Sequence, residues 1–275
     1  MITKIMKHDF LALRKPLGIT VAVAIGTVLL SAIAMVILRN GIGIFLVFLA
    51  FLGLLAAYLV YSIILLVHYY RSMYGKTGYF TMSIPARPIE LFWAKSIFNL
   101  LTLCFFALLF FGGGLLLITA VFLGDATGSG LKSFFTTTEV WQVAFLVLTA
   151  LVLSSIVSVF FYQFIVTAGN ARPFLDRFGK IGGPIRVAVL LYVGIQIISF
   201  LLLLVPGQMI FFAPNSPFIS FDWGSPLFDQ VLPSNDAQIV EPAVISIWWL
   251  LVTTVLTIVA GYLTAKLLKK GTSLR

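Results

Sequence analysis

Residues 42–68 read IGIFLVFLAFLGLLAAYLVYSIILLVH, with no charged side chain between Ile42 and His68. At 1.5 Å of rise per residue, such a run makes a helix about 40 Å long, more than the roughly 30 Å hydrocarbon core of a bilayer. It is therefore expected to span, and to tilt or protrude at one end. Working outward, five further runs have similar length and character, at 17–38, 97–123, 141–166, 187–205 and 243–263. The fifth holds Gln196 and Ser199. Its 14 Leu, Ile, Val and Phe residues still favour insertion by about 4 to 8 kcal/mol, more than two uncharged polar groups cost. With 61% hydrophobic and 10% charged residues in 275, and a mean hydropathy of +1.11, the solvent for most of this chain must be lipid. The expected fold is all-α: one polytopic membrane domain over residues 1–275 with six transmembrane helices. No contiguous stretch is left for a sizeable soluble domain, so any aqueous catalytic module would sit on another polypeptide.

The formal charge of +9 would suggest nucleic acid as the partner of a soluble protein, but its distribution here is a topology signal. Residues 1–16, 69–95, 168–186 and 265–275 hold four Lys or Arg each, leaving only Arg39 and Lys132 for the other side. Basic residues concentrate on the cytoplasmic side, so both termini are expected there. The run 17–38 is too long for a cleavable signal peptide and is read as a retained span. Cys104 is the single cysteine, which excludes an intrachain disulfide and a cysteine-based metal site.

Three non-spanning segments have their own character. Residues 2–15 set Ile2, Ile5, Met6, Phe10, Leu11 and Leu13 among Lys4, Lys7, His8, Arg14 and Lys15, a basic amphipathic pattern that suits a helix lying in the interface. The segment 206–242 has no Lys or Arg and carries Phe211, Phe212, Phe218, Phe221, Trp223 and Phe228. It is expected outside, folded back on the bundle or re-entrant, because so many exposed aromatics would otherwise form a sticky patch. The third segment, 69–88, contains Gly75 and Gly78, which break the long second helix. Pro88 with Glu90 suits the first turn of the next helix. What lies between is a compact knob of aromatic, methionine and basic side chains, the composition of a protein contact.

Several chemistries are missing. The six spans contain no Asp, Glu, Lys or Arg, which argues against coupling to a proton or sodium gradient. There are two histidines, His8 and His68, no HExxH pattern and no intramembrane carboxylate pair, so no catalytic, cofactor-binding or metal residue is assigned. His68 is read as the point where the second helix leaves the membrane. The stretch from Gly124 to Ser133 looks like a phosphate-binding loop but fails as one, since Leu131 separates Gly130 from Lys132 and no strand precedes it. Gly112, Gly113 and Gly114 inside the third span are read as a site of close helix packing.

The run Tyr74-Gly75-Lys76-Thr77-Gly78-Tyr79-Phe80-Thr81-Met82-Ser83-Ile84-Pro85 resembles the Tyr-Gly-x-x-Gly-Tyr-(Leu/Phe)-Thr-x-(Thr/Ser)-(Leu/Ile)-Pro signature. In bacterial ATP-binding-cassette (ABC) permeases of the type-2, exporter-like group, that signature lies between the second and third spans. An N-terminal interfacial helix, six spans, cytoplasmic termini and an outer excursion before the last span are similar to that group along nearly the whole chain. Arg87-Pro88 departs from it, since many relatives have small polar and basic residues there. The resemblance implies a cytoplasmic coupling helix that docks on a separate soluble ATPase. Tyr74, Gly75, Lys76, Gly78, Tyr79, Phe80, Thr81 and Pro85 would form or shape that contact. It implies ATP and magnesium on the partner and none here, no enzymatic activity in this chain, a second permease chain that is a copy or a paralogue, and residence in a bacterial cell membrane. Arg172, Arg177 and Lys180 in the second cytoplasmic loop are weaker contact candidates, and they equally satisfy the positive-inside bias. The cargo expected of an uncharged, aromatic-lined path is apolar or amphipathic: a peptide, an antibiotic or a lipid. The competing reading from another class is a membrane binding or immunity protein that captures an amphipathic ligand without moving it.

Overall fold

The computed structural model describes residues 2–38, 40–75, 78, 87–124, 138–172, 174–211, 219–223 and 243–269. Six helices long and apolar enough to cross a membrane account for most of them, which makes the chain a multi-pass membrane protein. They are α1 (Ile2–Leu38), α2 (Gly41–Met73), α3 (Pro88–Gly124), α4 (Thr138–Gly169), α5 (Phe174–Leu203) and α6 (Ile247–Lys269). The chain divides into two compact units, residues 1–163 with 273–275, and residues 164–272.

In the first unit α1, α2 and α3 pack closely on one another. The turn from α1 to α2 is short because Asn40, in extended conformation, caps α2 with its side-chain oxygen accepting from the Gly43 amide at 3.2 Å. Leu54, Leu65, Leu103 and Phe106 are fully buried where the helices meet, and Tyr61 stacks on Phe106 with ring centroids 4.4 Å apart. Of the three consecutive glycines in α3, Gly113 faces the packing seam. A Cβ there would stand 3.2 Å from Leu54 Cδ1 and 3.4 Å from Val28 Cγ2, the close approach expected of small residues between spans.

Residues 2–15 are not a separate interfacial helix, because α1 runs unbroken from Ile2 to Leu38 with Pro16 inside it. Proline removes one helical hydrogen bond without forcing a break when tertiary packing holds both sides. That packing is a stripe at Ile5, Asp9, Leu13 and Leu17, spaced by four and buried. Part of the face expected to lie on lipid thus packs against protein, while Phe10 and Leu11 stay exposed.

The second unit departs from an all-helical chain. The strands β1 (Gln208–Phe211), β2 (Ile219–Asp222) and β3 (Ala243–Ser246) form an antiparallel sheet in the order β2-β1-β3. Gly207, at φ 120°, turns the chain out of α5, after which unpaired backbone groups need partners and find them across the strands. Gln208 pairs with Asp222 on one side and Ser246 on the other. Residues 243–246, expected to open the last span, are therefore strand, and the helix starts at Ile247. The remainder of 206–242, including Phe212, Phe218 and Phe228, lies outside the described residues.

Helix α5 starts well before its apolar run and is kinked at Gly179, where φ is 71°. Its early part crosses the end of α4 through glycine. A Cβ at Gly169 would overlap the backbone of Pro184, and one at Gly183 would overlap the Gly169 carbonyl. No other residue permits that approach.

Candidate functional site

The end of α2 and the start of α3 flank the segment that sequence reasoning singled out. Helix α2 stops at Met73, and the amides of Tyr74 and Gly75 both donate to the Tyr70 carbonyl, at 2.8 and 3.1 Å. A side chain at Gly75 would bring its Cβ to 2.7 Å from the Arg71 carbonyl oxygen, so this exit requires glycine. The Gly78 amide donates to the Gly75 carbonyl at 2.9 Å, continuing the turn. On the far side the Arg87 carbonyl accepts from Glu90 and Leu91, and Pro88 opens α3 with Glu90 in its first turn. Of the candidate contact residues, Tyr74 and Gly78 are buried and Gly75 is half-buried, so these three shape the exit from α2. Lys76, Tyr79, Phe80, Thr81 and Pro85, and with them the expected coupling helix, lie outside the described residues.

Just inside these helix ends sits a buried ionic cluster. Asp9 on α1 accepts through Oδ1 from Lys95 Nζ on α3 at 2.7 Å, and the same oxygen is 3.2 Å from His68 Nε2 on α2. Asp9 and Lys95 side chains are 2% and 3% exposed and His68 16%, so the pair is shielded from water. His8, at 4.0 Å from the carboxylate, lies on the solvent side. A carboxylate and an ammonium at such burial hold each other charged, and removing either strands a charge at a cost of about 3–5 kcal/mol. Adjacent to Lys95 in the chain, the Ser96 hydroxyl donates to Gln163 Oε1 on α4 at 2.8 Å. Tyr162 stands between Asn99 and Tyr69, its ring 6.2 Å from that of Tyr69. One polar layer thus links α1, α2, α3 and the end of α4 that belongs to the first unit.

The polar groups of this layer are turned toward one another. Its acid and base are committed to each other and closed to a substrate, and among the described residues no group of three or more His, Cys, Asp or Glu gathers as a metal site. His68 is less than two turns from the end of α2 and Lys95 about two turns into α3, so both helices are fixed to α1 close to the segment between them.

The other candidate residues belong to the second unit. Arg172 and Arg177 are exposed, and Arg172 Nε is 3.8 Å from Asp176 Oδ2. Lys180 falls within α5, but its side chain is outside the described residues. Close by in sequence, the Arg186 guanidinium lies 4.0 Å from the centre of the Phe178 ring.

Sequence reasoning missed Asp9 and Lys95 and took His68 only as an exit marker. A signal was present: Asp9 stands four residues from both Ile5 and Leu13, on the apolar row of its helix, and Lys95 stands four from Leu91 and Asn99. An acid and a base on inward-facing rows need partners, and these two are each other's. No family model, curated protein or solved structure matches the chain.

Proposed function

We propose that the chain is the permease subunit of an ATP-driven ABC transporter, an exporter of an apolar or amphipathic substrate. It works with a soluble ATPase subunit that carries ATP and magnesium, and with a second permease chain, either a copy or a paralogue. The observation that carries this reading is the run Tyr74 to Pro85, which resembles the coupling signature of type-2 permeases and joins two long apolar helices. The ionic cluster supports it physically. A partner pressing on the joining segment would meet two helices braced against α1, and force would pass along them instead of bending their ends. The basic residues clustered near both termini and in the 69–95 and 168–186 segments support a cytoplasmic side for those regions, and the resemblance to bacterial permeases supports a bacterial cell membrane as the location.

The test is co-purification with the ATPase encoded beside it, followed by ATP hydrolysis by the complex. Gly78→Pro and Tyr79→Ala are expected to abolish complex formation and stimulated hydrolysis. If both variants leave complex and hydrolysis unchanged, the coupling assignment is wrong.

One observation favours the second reading, capture of an amphipathic ligand without transport. Phe221 and Trp223, at and just past the end of β2, are 68% and 79% exposed, an aromatic surface suited to such a ligand. Ligand efflux from proteoliposomes separates the two readings, since only the first depends on ATP.

A further inference from the structure

The last turns of α4 and α6 border a cleft of about 330 Å3 within the second unit. Phe164 and Ala168 line it from α4, four residues apart on one face, and Arg172 follows just past the helix end. Leu263, Lys266 and Leu267 line it from α6 at the i, i+3, i+4 spacing of a single face. Each wall thus combines apolar side chains with one cation near the C-terminal end of its helix, Arg172 just past α4 and Lys266 between Leu263 and Leu267 on α6.

Arg172 and Lys266 are both exposed; among the described residues the carboxylate beside Arg172 is Asp176, 3.8 Å from its Nε, and Lys266 Nζ lies 5.9 Å from the centre of the Tyr262 ring. In a multi-pass membrane protein an outward apolar wall is wetted by acyl chains, and helix ends lie at the level of the lipid head groups. The complement of an apolar slot with two cations at its interfacial end is an amphiphile with a hydrocarbon tail and an anionic head. By contrast, the cleft between α1 and α3 at Ala32 and Leu116 carries no charged side chain and selects no head group.

We propose that an anionic phospholipid occupies the cleft between α4 and α6, its acyl chain along Phe164 and Leu263 and its phosphate held by Arg172 and Lys266. This binding needs neither nucleotide nor partner chain, and so stands whether or not the chain transports anything.

The test uses the purified full chain in mild detergent, mixed with phosphatidylglycerol or phosphatidylcholine of matched acyl chains, with bound lipid counted by native mass spectrometry. Phosphatidylglycerol is expected to be retained as a discrete adduct in preference to phosphatidylcholine. The double variant R172Q/K266Q is expected to weaken that adduct about thirtyfold, while R172K/K266R keeps most of it. A third variant, Ala171→Phe, fills the cleft without altering charge and is expected to lose the adduct. Equal retention of the two lipids overturns the proposal, as does undiminished phosphatidylglycerol binding by R172Q/K266Q. Undiminished binding by A171F would assign the lipid to surface charge alone and overturn the cleft.

Discussion

The two units of this chain reach order by different means. In residues 1–163 three helices share a long seam, α1 burying a row from Ile5 through Asp9, Leu13 and Leu17 to Met35, and a charge pair with its polar neighbours is sealed inside. In residues 164–272 helix α5 buries only Gly183 and Val187 among its described residues, and exposes Ile185, Val189, Leu190, Ile197 and Phe200. One unit is held by side chains filling and pairing in an interior. The other adds to the buried side chains of α4 and α6 a glycine crossing and a small sheet, and along α5 leaves a broad apolar surface for lipid or another chain. The lesson is that apolar content alone does not say how much of a membrane protein is packed, because lipid and protein wet a leucine equally well.

That contrast can be broken most forcefully at Lys95. Lys95→Met leaves the Asp9 carboxylate buried without its counter-charge and is expected to lower stability by about 3–5 kcal/mol, read as a drop in thermal midpoint of the detergent-solubilised chain. The double variant D9L/K95M removes both charges and is expected to recover most of the loss; if it is no better than K95M, the two side chains are not energetically paired. Next in size, Gly183→Val drives a side chain into the Gly169 carbonyl and is expected to cost about 1–3 kcal/mol. Amide hydrogen exchange should show the loss confined to residues 164–203, and uniform loosening of α1 to α3 would mean that the units are not independently held. The smallest effect belongs to Leu190→Ala, on the exposed side of α5, which is expected to change stability by no more than about 0.5 kcal/mol. A loss of more than about 2 kcal/mol would show that this face is packed against protein and would erase the contrast.

Much of the fold was legible because a spanning helix writes itself as a long apolar run, and all six expected runs fall largely within helices. The start of α3 at Pro88 and the stop of α2 before Gly75 were legible for a local reason, since proline and glycine act through their own backbone. What stayed hidden depended on other parts of the chain. Pro16 normally ends or kinks a helix, yet α1 passes through it because Leu13 and Leu17 on either side are buried. The strands at 208–211 and 219–222 are four residues each, too short for alternation to stand out, and exist because each completes the hydrogen bonds of its neighbour. The ionic cluster joins residues 9, 68 and 95, a proximity that no local pattern encodes. For the candidate contact segment, glycine chemistry foretold Gly75, whereas Arg172, Arg177 and Lys180 were read from charge alone, and of these Arg172 is the one whose contact with a carboxylate, Asp176, is seen among the described residues.

The sheet has a mechanical consequence for the helices it joins. Strand β1 follows α5 and strand β3 leads straight into α6, and the two strands are neighbours in register from Gln208 opposite Ser246 to Phe211 opposite Ala243. The Trp248 indole on the first turn of α6 also donates to the Pro206 carbonyl at 2.8 Å, riveting the same corner. Along their lengths α5 and α6 touch little. The sheet is thus a clasp that sets the spacing of α5 and α6 at this corner, while the early part of α5, beyond the kink at Gly179, is pinned separately to α4 by the Gly183 crossing.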